Sequence, residues 1–112
     1  MQPRRNLSKG LIRTGYLALV LTTTACHQAV PHSVSLKWQP PAPKKGVVVV
    51  GYNVYRRRID SPHFVRLAER VPATVYEDNV VNSGNTYLYA VTSVDQRGRE
   101  SRFSVATEAT IP

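Results

Sequence analysis

The 112-residue chain contains a single cysteine, Cys26, and acids are scarce: seven Asp+Glu stand against fifteen Lys+Arg, and the first acid is Asp60. One cysteine excludes an intramolecular disulfide framework and a zinc site built on several thiolates. The apolar run near the start, Tyr16 to Leu21, has six residues, far below the ~18–20 needed to span a bilayer. No stretch of ten residues has helical periodicity. Motifs of metal-dependent, serine-dependent or phosphate-binding chemistry (H-E-x-x-H, G-x-S-x-G, a glycine-rich loop) are missing. The histidines His27, His32 and His63 are scattered. Glu77 and Asp78 are adjacent, so in a strand they point to opposite faces and do not form a carboxylate pair. No catalytic residue, metal ligand or cofactor site emerges, and the expectation is a chain that is not an enzyme.

What is present begins with an address. Arg4, Arg5, Lys9 and Arg13 precede the apolar run, and Thr22-Thr23-Thr24-Ala25 follows it with small residues ahead of Cys26. A basic start, a short apolar centre and a small-residue exit are the three parts of an export signal. Residues 1–25 are read as this signal and 26–32 as a short tether. Four of the fifteen basic residues fall in the signal, leaving eleven against seven acids, a net charge of +4 rather than +8. The excess positive charge that would suggest nucleic acid is thereby halved. Export and the lack of a base-reading helix exclude nucleic acid as a partner.

From residue 33 the pattern has period two. Val34, Leu36 and Trp38 alternate with Ser33, Ser35 and Lys37, and Tyr87, Tyr89, Val91 and Ser93 alternate with Leu88, Ala90, Thr92 and Val94. Alternation in β-branched and aromatic residues predicts half-buried strands. Gln39-Pro40-Pro41, Asp60-Ser61-Pro62, Asn82-Ser83-Gly84-Asn85 and Asp95-Gln96-Arg97-Gly98 punctuate the runs. Strands are expected at about 33–38, 49–57, 63–67, 75–78, 86–95 and 104–110, forming an all-β, two-sheet sandwich over 33–112. The expected core is Leu36, Trp38, Tyr52, Val54, Val81, Tyr87 and Val91.

Two resemblances add to this. Ser33-Val34-Ser35-Leu36-Lys37-Trp38, Gly51-Tyr52-Asn53-Val54-Tyr55-Arg56 and Gly84-Asn85-Thr86-Tyr87-Leu88-Tyr89-Ala90-Val91-Thr92-Ser93-Val94-Asp95 resemble strands B, C and F of the immunoglobulin-like fibronectin type III family. The resemblance places Tyr87 at the family's tyrosine corner. It also implies that strand A is short or missing, because only the seven residues Cys26 to His32 precede strand B, which would leave B as a sheet edge. Thr24-Ala25-Cys26 resembles a bacterial lipobox, with Thr23 where the family has an aliphatic residue. That resemblance implies a lipid on Cys26 and a lipoprotein of the cell envelope; Thr23-x-Ala25 also suits ordinary cleavage and a soluble secreted domain.

The surface residues that could meet a partner are the basic Lys44, Lys45, Arg56, Arg57, Arg58, Arg97 and Arg99, with Tyr55, Leu88 and Val94 on the outer face of the C–F sheet. The expected function is a non-catalytic binding or spacer module at the cell envelope, held to the membrane through Cys26 and acting on another protein. The alternative is a glycan-binding accessory module of an extracellular system.

Overall fold

A computed structural model describes residues 32–112 in full, and the backbone pairing of 5–7 and 19–24. Among the described residues, eight strands form two four-stranded antiparallel sheets: β1 (Arg5–Leu7), β2 (Leu19–Thr24), β3 (Ser33–Trp38) and β6 (Val75–Asp78) in the order β1-β2-β3-β6, and β5 (Val65–Val71), β4 (Val49–Arg58), β7 (Thr86–Asp95) and β8 (Thr107–Thr110) in the order β5-β4-β7-β8. This is the expected all-β sandwich.

Period-two patterning puts one side of each strand in the core. Val34, Leu36 and Trp38 are buried while Ser35 and Lys37 face solvent. The other sheet contributes Tyr52, Val54, Tyr87, Tyr89 and Val91, and Val81, Ala109 and Ile111 close the core. All seven expected core residues are in it. Fully burying a Val, Leu or Ile is worth ~1.5–3 kcal/mol each, so this cluster is the main favourable contribution to folding. Trp38 meets Tyr52 edge-on, ring centroids 5.5 Å apart, an arrangement that suits the aromatic quadrupoles.

Three expectations are corrected. Strand β5 begins at Val65 and extends to Val71, because a bulge lets β4 hold β5 past Ala68: Asn53 Oδ1 accepts from the Arg70 backbone N–H at 3.0 Å, and Arg70 takes a left-handed φ of 50°. Gly51 lies opposite this bulge, where a Cβ would stand 2.9 Å from the Arg70 backbone. Strand β8 begins only at Thr107. Ahead of it, residues 100–104 run beside β7 as a strap, held by serine hydroxyls that accept backbone N–H groups: Ser101 Oγ from Ser93 and Ser104 Oγ from Val91. Their own N–H groups donate to the Ser93 and Val91 carbonyls.

The third correction concerns strand A. β2 pairs with β3 along all six residues, from Leu19 opposite Trp38 to Thr24 opposite Ser33. In the full chain β3 is therefore not an edge, and the strand expected to be short or missing is supplied by the segment read as the export signal. Cys26 and the boundary after residue 25 lie outside the described residues.

Candidate interaction surface

The basic residues at the end of β4 are held by specific partners. Arg56 Nη1 donates to Asp78 Oδ2 at 2.8 Å and to the Val80 carbonyl at 2.7 Å, and its guanidinium lies over the Tyr87 ring. Asp78, 3% exposed, also accepts from the Tyr89 hydroxyl at 2.7 Å and the Val80 N–H at 3.1 Å. The three side chains come from β4, β6 and β7, so this polar clamp ties one sheet to the other. Burial, and then the bond to Asp78, raises the Tyr89 phenol far above its ordinary value of 10.0, which keeps its proton in place as the donor. Arg57 stacks over Phe64 and donates to the Ser61 carbonyl at 2.7 Å. Arg58 pairs with Asp60 at the surface, a contact worth ~0–1 kcal/mol. The triplet thus fastens the domain's own structure.

At the other end of the sandwich, the turn of Lys44 and Lys45 meets the β7 exit turn. Gln96 joins them: its amide N–H donates to the Gly46 carbonyl at 2.8 Å, and its side-chain oxygen accepts from the Val48 N–H at 2.8 Å. Asp95 organises the second turn. Its Oδ1 accepts from the N–H groups of Arg97 and Arg99, and its Oδ2 from the Arg99 guanidinium at 2.9 Å. The Arg99 N–H leads in lowering the Asp95 carboxyl below its ordinary 3.8. Lys44, Lys45, Arg97 and Arg99 are all exposed. A shallow groove of about 670 Å³ runs beside them, lined by Pro43, Lys44, Asp95, Arg99, Arg102 and Phe103 among others.

On the outer face of the β4–β7 sheet, the expected patch is partly covered. Val94 is 3% and Ala90 1% exposed, so Val94 is withdrawn from the candidate surface. Tyr55 and Leu88 are half-buried. Tyr55 donates its hydroxyl to Glu100 Oε2, which also accepts from Thr92 Oγ1 at 2.8 Å. The Tyr55 bond leads in lowering Glu100 below its ordinary 4.5, while burial and then Glu100 raise the Tyr55 phenol. The strap presents Phe103, 47% exposed, which touches Tyr55 edge-on at 4.9 Å and Phe64 at 5.1 Å. Phe64 and Phe103 were not among the sequence-derived candidates; Phe103 follows a turn and precedes a strand, and no periodicity marks its side. Among the described residues, no group of three or more His, Cys, Asp and Glu is placed to hold a metal.

The sandwich is similar to solved proteins. An Fn3-like protein from Clostridium thermocellum has a TM-score of 0.62 at 24% identity, covering 82% of this chain and 88% of that one. The fourth FNIII domain of a human protein has a TM-score of 0.65 at 18% identity, covering 84% and 77%. The fold is that of a fibronectin type III domain. The corner implied by the sequence is in place in this fibronectin type III sandwich: Tyr87, 2% exposed, accepts from the Asn82 N–H at 3.0 Å. No protein-family profile matches the chain. An amylopullulanase from Thermoanaerobacterium saccharolyticum is 39% identical over 59 residues, 53% of this chain but 5% of that enzyme. The chain spans about one-twentieth of the length of the curated relatives it matches.

Proposed function

We propose that the chain is an exported, non-catalytic fibronectin type III module that works at the cell envelope, anchored by a lipid on Cys26 and acting by binding or spacing a protein partner. The observation that carries the reading is the match of 59 residues of this chain to a short stretch, 5%, of a far longer enzyme. Such a segment is a module added to other machinery. The surface chemistry agrees with it, since the clamp, the two turns and the strap commit their polar groups to holding the domain in shape. The decisive experiment is fractionation with lipid labelling of the wild type and Cys26→Ser. A labelled, membrane-bound wild type and an unlabelled variant are expected; a soluble, unlabelled wild type refutes the anchor.

A second reading is favoured by the relatives' names. Amylopullulanase, by its name, acts on polysaccharide, and aromatic rings offer apolar faces to sugars. In that reading Phe103 and Phe64 contact a glycan beside Arg57. Affinity electrophoresis in pullulan gels, with Phe103→Ala as the control, separates the two: retardation lost in the variant supports the glycan module, and unretarded wild type refutes it.

A further inference from the structure

We propose that the mature domain pairs with a second copy of itself along β3, as a two-fold symmetric dimer that replaces β2. The inference rests on the reading that residues 1–25 are removed.

In the full chain the outer edge of β3 accepts an antiparallel strand in continuous register over six residues, with no bulge. Removing β2 exposes that row of backbone donors and acceptors. β2 also lies against β8, so its loss opens one side of the sandwich as well. β3 carries little of what keeps free edges apart: no proline stands within it, its pairing with β6 is regular, and Lys37 is its only charge.

The strand is complementary to itself. Antiparallel pairing of two β3 strands about Leu36 sets Leu36 opposite its copy, Val34 opposite Trp38, and Ser35 opposite Lys37. Opposed residues share a face, so the apolar set of one copy continues that of the other. The two lysines face serines rather than each other. Each pairing occurs twice about the dyad, as an isologous contact requires. The starts of the two β3 strands would stand ~21 Å apart, and a seven-residue tether reaches ~25 Å. Both copies can therefore be held in one membrane with the dyad along its normal. Confinement there raises the effective concentration, which favours a contact of modest area.

The test uses the chain exported and processed by a host, with its N-terminus read by mass spectrometry and its association followed by sedimentation velocity up to about 1 mM. Ser35→Lys and Ser35→Glu are compared with wild type. Ser35 is exposed, so neither change touches the core, and far-ultraviolet circular dichroism checks the fold. Ser35→Glu places a carboxylate opposite the other copy's Lys37 and is expected to tighten the dimer about fivefold; Ser35→Lys opposes like charges and loosens it by a similar factor. A processed chain that remains a monomer, or variants that shift association in the same direction or not at all, overturns the dimer alone. A purified chain that still carries residues 19–24 overturns the processing reading and the dimer with it.

Discussion

Asp78→Asn keeps the shape of the buried acid and removes its charge. In the native domain a single oxygen, Oδ2, accepts from both Arg56 and Tyr89, while Oδ1 accepts from the Val80 N–H. An amide offers one oxygen, so either the Arg56–Tyr89 pair or Val80 meets an N–H donor instead of an acceptor. Hydrogen bonds to charged groups contribute ~1.5–3 kcal/mol each, and breaking a buried ion pair costs ~3–5 kcal/mol. The Arg56 side chain retains 22% exposure, so water recovers part of its loss and the lower end applies. The expected destabilisation is ~3 kcal/mol, a large part of the ~5–10 kcal/mol of a domain this size. Urea unfolding followed by Trp38 fluorescence reads it directly: with a slope near ~1 kcal/mol/M, the midpoint falls by ~3 M. Tyr89→Phe removes one of the two donors and costs ~1–2 kcal/mol. The double variant is expected to cost less than the sum of the singles, since both act on one oxygen. A midpoint shift under ~1 M for Asp78→Asn, or strict additivity of the two changes, refutes the clamp as an energetic link between the sheets.

Other outcomes follow from the same geometry. Tyr87→Phe leaves the Asn82 N–H without its acceptor and is expected to cost ~1–2 kcal/mol, read as a lower urea midpoint with an unchanged slope. Gly51→Ala drives a Cβ to 2.9 Å from the Arg70 backbone, where no side chain can swing away. The expected cost is ~1–3 kcal/mol, and hydrogen-exchange protection should fall most in β5. The carboxyls of Asp95 and Glu100 lie below their ordinary values in the folded domain. Folding therefore gains from their ionised forms above those ordinary values and loses that gain as pH falls through the folded ones. Stability is expected to hold above pH 4.5 and decline below it, with a shallower decline in Glu100→Gln.

The sandwich was legible because β3 and β7 alternate with a two-residue period and are bounded by proline, glycine and asparagine. Trp38, Tyr87 and Val91 could be placed by that parity alone. The clamp was not legible. The sequence shows Asp78 only as half of an adjacent acidic pair; its value depends on Arg56 and Tyr89, which parity sets on other strands. Val94 was misplaced for a related reason. Parity assigns it a side of the strand but not its burial, and residues 100–104, which run beside β7, join it through serine hydroxyls and two backbone bonds rather than a regular ladder. Neither Ser101 nor Ser104 announces that role. The pairing of β2 was hidden because a short apolar run before small residues suits both an export signal and a strand inside a sheet.

Gln96 has a consequence for how this domain could change. Its amide completes hydrogen bonds to the 46–48 backbone from a position about fifty residues later. Each turn is thereby part of the other's template. A residue inserted near Gly46 would unseat Gln96, and a substitution at Gln96 would free the Lys44–Val47 turn. In scaffolds valued for loops that vary one at a time, new binding specificity is gained piecemeal. At this end of the molecule the two loops form one inheritable unit, and any new recognition surface there has to arise from both together.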